Sequence, residues 1–344
     1  MGQEGKAQNP ERDPADLLRF RQERTELEKF FAHASRLPAD EKAFETRYGT
    51  FQENSGVRQF VGALQEVNEM ARGLGNPASL KECISEDGNY LFNPEPPAVI
   101  YHHLIWLANH IANAASTVKK GYADLAGLFD MPGSPGSRAQ GVKGVLVGNG
   151  GLASIAARVQ TEVRQLTDNL EPFVPRLMQV VRTFNQTTLL NQANETIGYL
   201  EEKTRQAQKR ADEAEKKAKG WYGRKKRRKQ YESFLKEIGA NRAETEHKRL
   251  FVEDLDGFFV AADRVVPAVK RIDNKLKGIE KLFADLEDHV ASVCKLATGK
   301  QLSDRNWVAR ALSLSDEVDK WDAIENAAHD SVQQAMVSLD ANDQ

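Results

Sequence analysis

FFVAADRVVPAVKRIDNKLKGIEKLFADLEDHVASV, residues 258–293, carries an apolar residue alternately every three and four positions: Phe258, Ala262, Val265, Val269, Ile272, Leu276, Ile279, Phe283, Leu286, Val290 and Val293. That is the spacing of a heptad seam, and it predicts one helix with a continuous buried stripe. Upstream, the same spacing runs through Phe173, Leu177, Val180 and Phe184. After an Asn/Thr-rich patch it resumes through Leu200, Thr204, Ala207, Ala211, Ala214 and Ala218. The two legs can zip together as an antiparallel hairpin, the outgoing one running roughly 70 Å at about 1.5 Å per residue. Interruptions of the return leg are expected at Gly239 and Pro267, the second as a kink. The fold class that follows is all-α: an elongated helical bundle with a long antiparallel coiled-coil hairpin.

Between the legs lies KKAKGWYGRKKRRKQY, residues 216–231. Lys216, Lys217 and Lys219 lead in, the helical pattern stops at Gly220, and the chain turns through Trp221, Tyr222 and Gly223. Arg224, Lys225, Lys226, Arg227, Arg228 and Lys229 then follow without interruption. At the tip of a hairpin these residues form a dense positive patch. Such a patch gains about 1 kcal/mol per basic residue near an anionic bilayer, and Trp and Tyr favour the headgroup layer. The same residue types suit a nucleic-acid backbone with aromatic stacking, or a nuclear import signal. A solvated, mutually repelling loop that keeps the hairpin from aggregating is the third reading.

Composition sharpens the choice. The formal net charge of -2 over 344 residues gives no global attraction to nucleic acid or membrane, so any such attraction is local and points back to the tip. No run approaches the ~20 apolar residues of a transmembrane helix. The N-terminus, MGQEGKAQNPERDP, lacks the apolar core of a secretory signal. The expectation is a protein made in soluble form without a signal peptide. It would then be cytoplasmic, or exported by a route not visible in the sequence and afterwards membrane-associated.

In chain order, residues 1–12 read as a disordered tail and 13–128 as an N-terminal helical bundle. Its helix starts fall at Asp13–Pro14, at Pro38 and near Ser55, and its most apolar helix opens at Pro96 and Pro97. Residues 129–152 form a Gly/Pro-rich connection, where Pro132, Pro135 and the glycines forbid a continuous helix between Met131 and Gly151. The alternative is a small apolar hairpin able to unfurl into lipid, with Val142, Val145, Leu146 and Val147 on one arm and Leu152 and Ile155 on the other. Residues 153–300 are the long hairpin with its basic tip at 216–229. Residues 301–340 form a C-terminal helix packing back on the bundle, with Trp307 and Trp321 as core anchors.

Catalytic and metal signatures are missing. Cys83 and Cys294 stand far apart with no CxxC or Cys/His spacing, and His102, His103 and His110 have no HExxH partner. The glycines from Gly144 to Gly151 lack the Lys-Ser or Lys-Thr of a phosphate loop. Neither an enzyme nor a cofactor is expected.

The order of these parts resembles the helical alpha-pore-forming toxins of the cytolysin A and xenorhabdolysin type. N-terminal helices precede a Gly-rich apolar interruption, a long antiparallel hairpin, and a closing segment with spaced tryptophans, DRNWVARALSLSDEVDKWDAI at 304–324. The resemblance implies a chain made in soluble form that assembles with sister helical subunits or with itself and presents a hydrophobic head to a target membrane. Here the candidate head, from Val142 to Ala157, is short and glycine-broken, and the hairpin tip is cationic. The resemblance therefore implies a membrane-binding or accessory subunit docking on anionic lipid through Trp221, Tyr222 and the basic run. The competing class is an intracellular helical scaffold that offers the tip to nucleic acid or an acidic protein.

Overall fold

The structure, a computed structural model, describes residues 14–52, 56–83, 96–218 and 224–342. Its helices are α1 (Arg21–Ala34), α2 (Glu41–Tyr48), α3 (Val57–Leu74), α4 (Ile100–Asp130), α5 (Pro135–Val147), α6 (Leu152–Leu170), α7 (Phe173–Gln186), α8 (Leu189–Ala218), α9 (Arg224–Leu296), α10 (Gly299–Leu302), α11 (Arg305–Ala311) and α12 (Leu314–Asn342). Short 3-10 stretches occupy Pro14–Leu18 and Pro77–Cys83. No strand occurs among the described residues, and the fold is all-α. The helix starts expected at Asp13 and Ser55 lie outside the described residues.

The chain divides into two compact units. One takes the described residues of Lys29–Arg72 and Val174–Arg264, the other those of Met1–Glu28, Gly73–Phe173 and Val265–Gln344.

The first unit is organised on aromatic rings. Phe44, Tyr48, Phe51, Phe60 and Phe251 form a cluster with centroid separations from 5.1 to 6.0 Å. Phe184 joins it 4.4 Å from Phe60 and 5.5 Å from Phe258. Edge and tilted contacts of this kind add about 0.5–1.5 kcal/mol per pair to the area they bury. Asp40 caps α2 by accepting from the Ala43 amide at 2.7 Å, and Gly49 ends the helix with φ of +72°, the left-handed region that a side chain would strain. Arg47 and the Tyr48 hydroxyl both donate to Asp254 at 2.8 Å, fixing α2 against α9.

The second unit is built around α4. Residues 100–108 are buried without exception, so this end of α4 is surrounded on every side. α5, α6 and α12 pack against it. Gly121 makes the approach to α6 possible, because a Cβ there would stand 2.6 Å from Leu152 Cδ2. Trp321 on α12 is fully buried with its ring 5.2 Å from Phe283, and its Nε1 donates to Glu317 at 2.9 Å. Arg24, itself buried, donates to the Ser331 carbonyl at 2.9 Å.

Three elements differ from expectation. α9 runs unbroken for 73 residues through both Gly239 and Pro267. Glycine costs about 1 kcal/mol in a helix interior. Next to it, Ile238 is buried with Ala207 and Ala211 of α8, and Val265, Ala268 and Val269 are buried around the proline. Packing therefore holds the helix through both residues. Secondly, between breaks at 131–134 and 148–151 the Gly/Pro-rich passage contains α5. Ser134 caps it and Pro135 sits in its first turn, where the missing N–H costs nothing, while Ala139, Val142 and Leu146 are buried. Thirdly, the single closing helix is two: α11, capped by Asp304, and α12, separated by a turn in which Ser313 has φ of +47°. Trp307 is consequently half-buried, and Val308 takes the core position.

Candidate polyanion-binding site

α8 and α9 form the antiparallel hairpin that carries the basic residues. Ala207 and Ala211 of α8 pack with Ile238 of α9, flanked by Tyr231 and Phe234. Nearer the tip Arg227 Nη1 donates to the Lys217 carbonyl at 2.5 Å, and further away Arg249 pairs with Glu201 at 2.6 Å. As one partner moves up the chain the other moves down, which is antiparallel register. Alanine on the inner face of α8 brings the two backbones close, so the pair stays narrow up to its charged end.

At that end Lys216 and Lys217 lie in the last turn of α8, and the first turns of α9 carry the run that starts at Arg224. Lys219, Trp221 and Tyr222 lie outside the described residues. Lys216, Lys217, Lys225, Lys226, Arg228 and Lys229 are exposed, and Arg227 is half-buried by its reach to Lys217. From Lys216 to Tyr231 the sequence has nine basic residues and no carboxylate. The flanking acids answer only in part, Glu213 lying 3.9 Å from Lys217 and Glu232 lying 3.3 Å from Arg228. Both pairs are highly exposed, where such contacts contribute little.

Helix electrostatics sets the two sides of the tip apart. Lys216 and Lys217 at a helix C-terminus are favoured by the macrodipole, and Arg227 adds a donor to a terminal carbonyl. Basic residues at the N-terminus of α9 oppose it, and no acidic residue occupies that first turn. A tip built only for stability would carry Asp or Glu there.

The fold is similar to solved pore-forming proteins. Soluble SmhA of the tripartite alpha-pore forming toxin Smh from Serratia marcescens, in its second crystal form, aligns with a TM-score of 0.49 at 10% identity, covering 95% of this chain and 94% of that one. XaxA from Xenorhabdus nematophila aligns at 0.43 and 10% identity over 92% and 97%, and YaxA from Yersinia enterocolitica at 0.37 and 12% over 94% and 96%. No protein-family model and no curated protein matches this chain.

The apolar segment named from the sequence is folded away. Val142, Leu146, Leu152 and Ile155 are buried, Val145 is half-buried, and Val147 is exposed. No helix among the described residues is long and apolar enough to cross a membrane. The six residues thus divide between α5 and α6 as core of the α4 unit.

The histidines of α4 have three separate environments. His102 Nε2 lies 3.2 Å from both Ser79 Oγ and the Asn76 carbonyl. His110 stacks on Trp106 at 5.1 Å and has Nε2 2.9 Å from Glu162 Oε2. His103 is buried with neither ring nitrogen hydrogen-bonded, and desolvation pushes it down to about 4. That unpartnered ring departs from the satisfied histidine that composition suggests. Among the described residues no group of His, Cys, Asp or Glu could hold a metal ion. Sequence reading also passed over Lys248, a buried lysine on the solvent-rich half of α9; only the carbonyls left at the end of α2 explain it.

Proposed function

We propose that this chain is a membrane-binding helical subunit of the pore-forming-toxin type, which docks on anionic lipid through Lys216, Lys217, Lys219, Trp221, Tyr222 and the run Arg224–Lys229. The observation that carries the reading is the placement of that run: exposed, free of interleaved carboxylates, and at the helix end where the macrodipole disfavours it. Charge held against a local electrostatic cost fits an external anionic partner. A fluid bilayer suits it best, because each basic residue near the surface adds about 1 kcal/mol with no fixed geometry required. Assembly with sister helical subunits, or with further copies, belongs to the same proposal. In it the tip supplies attachment, and any apolar insertion requires α5 and α6 to leave α4.

The test is sedimentation with dye-loaded liposomes, anionic or neutral, followed by a high-salt wash. Retention on anionic liposomes, lost when residues 225–229 are replaced by Gln at unchanged helix content, is expected. Retention that survives the wash adds insertion to docking. Equal recovery of the Gln variant and the parent on anionic lipid, or no recovery of either, overturns the reading. In the second case binding to RNA or an acidic protein becomes the question.

A further inference from the structure

A cavity of about 420 Å³ opens in the first unit, where the chain leaves α2, where α8 begins, and where α9 passes both. It lies away from the basic run, and the inference below is independent of lipid docking by that run. The volume falls in the range of small-molecule sites. Its charged lining residues are Lys248, Glu244 and Glu195, a formal net charge of -1.

The hydrogen-bond inventory shows what is missing. The Lys248 ammonium has three protons and spends all three, on the Tyr48 carbonyl at 2.8 Å, the Thr50 carbonyl at 2.7 Å and Glu244 Oε1 at 2.8 Å. It has none left for an anionic ligand. On the α8 side, Gln192 Nε2 donates to Thr188 Oγ1 at 3.2 Å, and Gln192 Oε1 is buried with no donor. The Thr188 hydroxyl accepts that bond and keeps its own proton to give. The cavity thus offers the orphan amide oxygen, the second oxygen of Glu244 and the carboxylate of Glu195 as acceptors, beside threonine and asparagine donors. A divalent metal is poorly served, since one of two carboxylates is already paired with lysine.

We propose that this cavity binds the primary ammonium of a small amino alcohol. One ammonium brings three N–H donors to three acceptor groups, neutralises the surplus charge, and leaves an adjacent oxygen for Thr188 and Asn191. The same chemistry occurs free in solution and as an ethanolamine lipid headgroup.

The experiment is an NMR titration of the full chain with ethanolamine, reading the Gln192 side-chain amide, with ethylene glycol as the uncharged control. Saturable shifts with ethanolamine alone are expected, weakened about tenfold or more by Glu195→Gln. Glu195 is exposed, so that variant should keep the parent's thermal midpoint. Flotation with phosphatidylcholine vesicles, with and without phosphatidylethanolamine, separates the sources. Glu195-dependent enrichment on the ethanolamine lipid identifies the headgroup, and its absence identifies the free amine. No shift with ethanolamine, an equal response to ethylene glycol, or an unchanged response of Glu195→Gln overturns the proposal.

Discussion

Acid should weaken the α4 unit through a single ring. His103 is buried beside Trp106, 5.7 Å between ring centroids, and has no partner for either nitrogen. Protonation would place an uncompensated charge there, and burial accordingly holds the group at about 4, against 6.5 when free. In the unfolded chain the ring takes its proton as pH falls through 6.5, while in the folded chain it resists until about 4. The unfolded state therefore binds more protons in that window. Stability is fully present above pH 6.5 and is lost progressively as pH falls towards 4. The gap corresponds to about 3.4 kcal/mol, of which about 2.5 kcal/mol is gone by about pH 4.5. His103→Phe keeps an aromatic ring and removes the titration. Urea unfolding of parent and variant at neutral pH and at about pH 4.5, at matched ionic strength, isolates the effect, because other titrating groups are common to both. The variant should lose about 2.5 kcal/mol less than the parent on acidification. An equal loss in both would refute the assignment of this acid sensitivity to His103.

Lys248→Met should cost about 2–4 kcal/mol in urea unfolding, since it leaves the Tyr48 and Thr50 carbonyls and Glu244 without their shared donor. Gly121→Ala should destabilise by about 1–3 kcal/mol by driving a methyl group into buried Leu152, and Leu152→Ala in the same chain should recover less stability than it costs alone if the clash is real, which a double-mutant cycle on thermal midpoints measures. Lys225→Glu should raise thermal stability slightly, by about 0.3–1 kcal/mol, by placing an acid in the first turn of α9, while lowering recovery on anionic liposomes. Opposite signs in those two assays would separate a functional charge from a structural one.

The seam from Phe258 to Val290 was legible because every third or fourth residue is apolar on a helix long enough for the pattern to repeat, and each of those residues is buried. Local rules likewise identified the stop of α2 at Gly49 and the cap of α11 at Asp304, since a left-handed residue and a side-chain acceptor are properties of a few neighbouring positions. The basic run was also visible as composition, although its opposition to the dipole of α9 needed the helix boundary at Arg224. What sequence alone misjudged was decided by packing. Gly239 and Pro267 read as interruptions by propensity, yet buried neighbours hold α9 through both, and the glycines of α5 stay helical because Val142 and Leu146 have a place against α4. The solitary burial of His103, the saturation of Lys248 and the orphan oxygen of Gln192 are in no motif at all. Each depends on groups from segments far apart in the chain meeting at hydrogen-bond range, or failing to, and only the tertiary structure brings those segments together.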